Sequence, residues 1–452
     1  MAGDAPTRLV KGAVAEGEVR ALHRDGDARG VVGGHAARVR GGVPGDRGAF
    51  RVLHAGRNAV WVAPEALSEP SPDRVVPPCP VVDRCGGCPW QMVALPAQRA
   101  ARRALLADAL GDLEVGELRD TVTFDDALAY RTRALMMARR VKRRLVFGFF
   151  EPRTDELVPV DACAVQHPTL NTALARARAV LDESGVTTWR SAARAGTLRA
   201  VAGRLDPDTG TVLLTIVVTR DDPRFDDIGH ALVADPRIAG VALCVNTAPG
   251  GQVARGPTRH LAGAKRLHLD IDGVDILCGP MSFVQTQHAA ASALVRIARE
   301  LVPERVTHLV DLYAGIGVFG LALCGRAERV TLVEENADAV RDAEATIARG
   351  NGFDRVRIVA GDAAQVADGV LDGAPGTCVL LDPPRAGVAE PVLAAIARAA
   401  PETILYVSCH PTSFARDARE LAGAGYRCDV LVPVEMFPHT PHLEVVARFV
   451  RA

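Results

Sequence analysis

Short apolar runs alternate with amphipathic stretches through the last third of the chain, and this alternation predicts an α/β unit. Strands are expected at residues 306–311, 329–333, 356–360, 377–381 and 403–407, with helices starting at 318 and covering 338–349 and 413–424. Two closing strands, 429–433 and 443–449, complete a doubly wound nucleotide fold with a terminal hairpin. The first sixty-odd residues pattern differently. Short alternating runs at 17–22, 29–32, 49–53 and 59–62 are separated by turns such as Gly33-Gly34 and Gly41-Gly42, as in a small OB-like β-barrel. Between these units the pattern is mixed, with a helix near 97–110 and strands at 145–150 and 211–218. The expected divisions are a barrel at 1–63, a proline-rich linker at 64–80, a central α+β domain at 81–280 and the nucleotide-fold domain at 281–452.

Composition narrows the class. A chain of 452 residues that is 48% hydrophobic can fill several cores. No apolar run approaches the roughly 20 residues of a membrane span, and Met1-Ala2-Gly3-Asp4-Ala5-Pro6 does not read as a signal peptide. A cytoplasmic protein without a membrane partner is expected. Net charge is −1, so any nucleic-acid contact must come from local basic clusters. Two are present. One is Arg131, Arg133, Arg139, Arg140, Lys142, Arg143 and Arg144, in a stretch without an acid; the other is the barrel's Arg20, Arg24, Arg29, Arg38, Arg40, Arg47 and Arg51. A basic run is usually a solvated face, and the spacing alone does not exclude that reading.

The candidate chemistry lies at strand ends. Asp311-x-x-x-Gly315-x-Gly317 joins a strand to a helix, where glycines let backbone approach a ligand closely. Glu334 ends the next strand, where a carboxylate can accept hydrogen bonds from both ribose hydroxyls, and Asp362 is placed to meet an adenine amino group. The third glycine, Gly320, nominally completes a dinucleotide fingerprint, but the pattern favours S-adenosylmethionine over NAD. Cys409 follows a strand and stands downstream of Asp382-Pro383-Pro384, a position suited to a thiolate nucleophile. Glu444, opening the last strand, reads as a general base. His439 and His442 beside it read poorly as metal ligands, because too few donors accompany them.

Ten cysteines in a cytoplasmic chain point to metal or catalysis rather than disulfides. Cys79, Cys85 and Cys88 are close enough in sequence to share a centre, with Cys163 as a fourth ligand, and spacing alone leaves zinc and a 4Fe–4S cluster both open. Cys244, Cys278, Cys324, Cys378 and Cys428 sit in apolar runs and read as core.

Together these residues resemble the RNA 5-methyluridine methyltransferases, in particular the iron–sulfur branch acting on 23S ribosomal RNA. The resemblance rests on Cys79, Cys85, Cys88 and Cys163, Ser282-Phe283-Val284-Gln285, the glycine loop, and Asp382-Pro383-Pro384-Arg385-Ala386-Gly387. Tyr406-Val407-Ser408-Cys409-His410-Pro411 and Met436-Phe437-Pro438-His439-Thr440-x-His442-Leu443-Glu444 are its most specific parts. It implies a barrel similar to the TRAM module, a Rossmann-like S-adenosylmethionine domain and a central domain carrying a 4Fe–4S cluster. It implies Cys409 as nucleophile, Glu444 as base, and Gln285, Tyr313, Gly315, Gly317, Glu334, Asp362 and Asp382 around the cofactor. The implied partner is 23S ribosomal RNA, with transfer RNA as the alternative, and the implied state is a monomer. An exocyclic-amine methyltransferase needs no cysteine nucleophile, and a non-catalytic RNA-binding factor needs neither Cys409 nor Glu444, so both rivals fit less well. Val318 stands where the family often has asparagine, which removes one side chain from the cofactor's surroundings.

Overall fold

The computed structural model describes residues 9–190, 193–248, 253 and 255–452. The leader reading of residues 1–6 lies outside them. The chain divides into two compact units. The first comprises residues 1–111, 150–158 and 437–443, and the second comprises 112–149, 159–436 and 444–452.

In the first unit five strands close into a barrel, in the order Val14–Leu22, Ala28–Val32, His35–Val39, Val60–Glu69, Arg47–Ala55. Closure leaves no free sheet edge. Val32, Val39, Phe50 and Val62 fill its interior, and Trp90 and Met92 pack against them from the following loop. Gly30 has a steric reason: a Cβ there would lie 2.1 Å from the Glu18 carbonyl oxygen. The last strand runs on through Pro64 to Glu69, into the stretch expected to be linker. Proline is tolerated because the register shifts between Ala49 and Phe50, opposite it, and a bulge needs no N–H donor there.

The second unit holds a two-stranded pair, Leu267–Asp270 with Asp275–Cys278, and two large sheets. One is ordered Thr258–Gly263, Ile238–Val245, Thr211–Val218, Leu198–Asp206, Arg133–Val141, Arg144–Phe150. The other is ordered Val356–Ala360, Ala327–Glu334, Val306–Leu312, Thr377–Leu381, Thr403–Ser408, Glu444–Arg451, Tyr426–Val434, Val115–Leu118. Its first five strands are parallel, and Glu444–Arg451 then enters antiparallel to Thr403–Ser408. That is the doubly wound nucleotide fold with a terminal hairpin that the pattern predicted. Val115–Leu118, from the stretch assigned to the central domain, pairs with Tyr426–Val434 and covers what would otherwise be an open edge. Among the described residues no helix is long and apolar enough to cross a membrane.

Candidate active site

The sheet register brings the predicted residues to one edge. Leu312 pairs with Leu381, and Leu381 with Tyr406, so Tyr313 and Asp382 leave neighbouring parallel strands at the same end. Ser408 pairs with Val445 in the antiparallel ladder. One step further along that register, Cys409 stands opposite Glu444. The candidate nucleophile therefore sits at the carboxyl end of one strand and the candidate base at the amino end of its neighbour, as an antiparallel insertion allows.

The electrostatics of this edge are unusual. Glu444 is 1% exposed, and its Oε2 has no hydrogen-bond partner among the described residues. Burial, reinforced by the Asp382 charge, pushes its carboxyl up to about 8. Burial likewise pushes Asp382 up to about 7. Cys409 is half-buried, and burial first, then the Glu444 and Asp382 charges, push its thiol up to about 12, against the opposing Arg385. The resting sulfur is a thiol, flanked by carboxyl groups poised to exchange protons near neutrality.

The glycine loop forms as expected. Gly315 and Gly317 take φ of 58° and 85°, and Tyr313 is left-handed at 67°. A Cβ on Gly315 would meet nothing within 4 Å, so the left-handed turn there borders an open cradle. Gly320 has another reason: a Cβ would lie 2.2 Å from Leu332 Cδ2, and its N–H donates to Asp311 Oδ2 at 2.9 Å. Glu334 accepts from the Gly315 N–H at 2.8 Å through Oε2 and from the Asn336 N–H at 2.7 Å through Oε1. The ribose-acceptor candidate is thus held in place by the loop it would serve with. Asp362 caps the helix Ala363–Val370, accepting from the Ala364 N–H at 2.9 Å, so part of its capacity goes to the fold. Gln285 is half-buried on the segment entering the domain, and Val318 opens the helix Val318–Ala322.

Sequence reasoning did not anticipate Asp417. It is fully buried on the helix Pro411–Gly423, and its Oδ2 accepts from the Val388 N–H at 2.8 Å and the Tyr406 hydroxyl at 2.7 Å. Ser413 Oγ donates to the Arg385 carbonyl, Arg416 to the Ala386 carbonyl, and the Ala389 N–H to the Tyr313 hydroxyl. One carboxylate therefore ties the strand that delivers Cys409 to the loop that follows Asp382. Its only sequence signal is an acid at an inward helical position. A cavity of about 250 Å³ lies elsewhere, lined by residues including His260, Lys265, Arg266, Asp338 and Arg341, and Cys409, Glu444 and Asp382 do not border it.

The cysteines sort by environment. Cys79, Cys85, Cys88 and Cys163 are half-buried and outside any disulfide, whereas Cys244, Cys278, Cys324, Cys378 and Cys428 are buried. In the first unit the loop carrying three of them is folded by its own bonds: Val82 N–H to the Cys79 carbonyl, Cys85 N–H to Val81 and Gln91 N–H to Cys88. In the second unit Asn171 brackets Cys163, accepting from its N–H and donating to its carbonyl. Among the described residues no group of three or more His, Cys, Asp or Glu side chains is gathered as a metal site. His439 has a different employment: Gln98 accepts from its N–H at 2.8 Å and bonds its Nδ1 at 3.1 Å.

The basic clusters are less free than the sequence suggested. In the barrel Arg20, Arg29, Arg38, Arg40, Arg47 and Arg51 all form ion pairs with acids. In the second cluster Arg140 pairs with Asp182 at 2.6 Å. Lys142 and Arg143 form a left-handed hairpin turn, with φ of 47° and 71°, and remain at its exposed tip with Arg144. Alternate residues of one strand leave opposite faces, so seven cations close in sequence do not make one surface.

Known proteins resemble this chain over part or nearly all of its length. Residues 278–450 match the family model for tRNA (uracil-5-)-methyltransferase. Over nearly its whole length the chain is similar to uncharacterized RNA methyltransferases of two cyanobacteria. The one from Gloeobacter violaceus is 31% identical over 99% of this chain and 98% of its own. The one from Thermosynechococcus vestitus is 32% identical over 97% and 98%. A solved structure, the Pyrococcus abyssi tRNA (uracil-54, C5)-methyltransferase with S-adenosyl-L-homocysteine, superposes with a TM-score of 0.77 at 27% identity, covering 96% of this chain and 99% of that one. The chain is an RNA methyltransferase and belongs to the RNA 5-methyluridine methyltransferase family.

Proposed function

We propose that this protein methylates carbon 5 of a uridine in 23S ribosomal RNA, with Cys409 as nucleophile and Glu444 as base. The register that sets Cys409 opposite Glu444 carries the reading. S-adenosylmethionine supplies an electrophilic methyl group, and the open backbone at Gly315 with the fixed Glu334 carboxylate suits its nucleoside. Uracil carbon 5 is a weak nucleophile until sulfur adds at carbon 6. Cys409 forms that S–C bond as its proton passes to a neighbouring carboxylate, and the ring's electrons collect as an enolate. Carbon 5 would then take the methyl group from the sulfonium, whose S–CH3 bond would break to leave S-adenosylhomocysteine. Glu444 removes the remaining carbon-5 proton, the C5–C6 double bond re-forms, and the S–C bond breaks to return the thiol.

Transfer RNA is the second target reading, supported by the name of the Pyrococcus abyssi relative. Deleting the gene and mapping 5-methyluridine in total RNA separates the two. Loss of one modified site in 23S RNA is expected, restored by the wild-type gene. Loss confined to transfer RNA would replace the ribosomal assignment. The protein is expected to act in the cytoplasm as a monomer.

For the cysteines we propose a 4Fe–4S cluster on Cys79, Cys85, Cys88 and Cys163. The support is their donor chemistry: four half-buried thiols, set apart from the buried ones. Such a cluster would supply cross-linking between distant chain segments, and no step of the methylation needs it. Anaerobically purified protein is expected to be brown and to carry about four irons per chain, with Cys85→Ser bleaching it. Colourless protein with a single zinc would replace the cluster by a structural zinc site.

A further inference from the structure

Two arginines stand side by side on the central sheet, and among the described residues no acid pairs with them. Arg133 and Arg204 are register partners on antiparallel strands, so their side chains leave the same face. Arg204 is 3% exposed; it donates through Nη2 to the Ser282 carbonyl, and its buried Nε has no partner among the described residues. Arg133 is half-buried, and among the described residues no carboxylate pairs with either guanidinium. The candidate acids are engaged elsewhere. Asp206 accepts from Thr209 and the Asp208 N–H, and Asp342 from Arg266, Ser282 and the Gly279 N–H. The remaining titratable neighbour, Cys278, is a fully buried thiol pushed up by that burial.

Burial and the Arg204 charge pull the Arg133 guanidinium down to about 10, a measure of how poorly this place suits a second cation. The fold does not need that cation. The Ser282 carbonyl already takes its donor from Arg204, and among the described residues no printed bond of the Arg133 side chain calls for a charge. The surroundings supply a reason. Thr132, next to Arg133, donates from N–H and hydroxyl to the Thr286 carbonyl at 2.8 and 3.1 Å, and Arg131 bridges to Gln287. Arg204 thus reaches one end of the segment 282–287, which carries Gln285, and the residues just before Arg133 hold its other end.

We propose that Arg133 and Arg204 form an oxyanion niche beside Gln285 that receives one negatively charged group of the bound reactants. Two sources share this chemistry: the carboxylate of the cofactor's methionine portion and a phosphodiester of the RNA. Either accepts forked N–H donors from guanidinium and removes the repulsion between the pair. The niche rests on the proposed function, because both sources are reactants of RNA methylation.

Arg133→Gln tests it, with three measurements on the full chain: the Kd of S-adenosylhomocysteine, the Kd of 5′-methylthioadenosine, which lacks the amino-acid carboxylate, and the KM for RNA. A cofactor carboxylate in the niche predicts that R133Q weakens S-adenosylhomocysteine about tenfold, the size of one charge-assisted hydrogen bond, and leaves methylthioadenosine unchanged. An RNA phosphate predicts an unchanged S-adenosylhomocysteine Kd and an RNA KM raised about tenfold. If R133Q does not fold, Arg133→Lys carries the test, since it keeps the charge but loses the fork, and a smaller loss in the same single constant is expected. Unchanged constants for all three ligands in a folded variant would reduce the pair to packing and overturn the niche. Wild-type protein that neither binds S-adenosylhomocysteine nor methylates RNA would instead overturn the functional reading.

Discussion

Cys409→Ala is expected to lower turnover by on the order of 10⁴-fold or more, because an obligatory covalent nucleophile has no substitute in the site. The sulfur acts on the uracil and not on the cofactor, so binding of S-adenosylhomocysteine should change by no more than a few fold. The two measurements together matter. Cys409 ends the strand Thr403–Ser408, whose Tyr406 hydroxyl is anchored to buried Asp417. A variant that disturbed this anchor would weaken cofactor binding as well, whereas removal of the thiol alone leaves the network intact. Serine at the same position should be nearly as inactive, since an alkoxide is far harder to form than a thiolate. Methylation by the alanine variant near the wild-type rate would eliminate covalent catalysis through Cys409.

Glu444→Gln is expected to separate methyl transfer from release. The amide keeps the shape of the side chain but cannot take the carbon-5 proton, so the protein–RNA adduct should persist and migrate as a covalent complex on a denaturing gel. The wild-type pH profile follows from the same burial. With the carboxyl at about 8, the base form is the minority at neutral pH and grows as pH rises. Release should therefore climb by about tenfold per pH unit and level off near that value. Inactivity without adduct in E444Q would make Glu444 a positioning residue, and the proton would then have to leave through Asp382.

Much of this centre was legible because its determinants are local. Asp311-x-x-x-Gly315-x-Gly317 needs left-handed backbone, and Gly315 and Gly317 adopt it. Cys409 and Glu444 were assigned by the motifs around them, and the ladder brings the strand ends that carry them side by side, ending at Ser408 and Val445. What stayed hidden depends on contacts distant in sequence. His35–Val39 was too short and too close to Gly33-Gly34 to stand out from a turn. Val115–Leu118 is a strand only because an edge of the far sheet accepts it. Composition counted Arg140 as a free cation, but Asp182, on a later helix, neutralises it. Asp417 and Arg204 gave no sign, since burial of a charged side chain is decided by the packing around it.

The antiparallel placement of Glu444–Arg451 has a consequence for which uridines can react. This strand is hydrogen-bonded on both sides, by Thr403–Ser408 and Tyr426–Val434, so the proposed base, Glu444, has no hinge on which to swing toward its target. A rigid pair of catalytic groups leaves accommodation to the nucleic acid. A uridine stacked in a duplex must leave its neighbours at a cost of a few kcal/mol, while one in an open loop or bulge is already displayed. Selectivity would then be written partly in the deformability of the RNA, with pliant sites reacting before stiff ones of identical sequence.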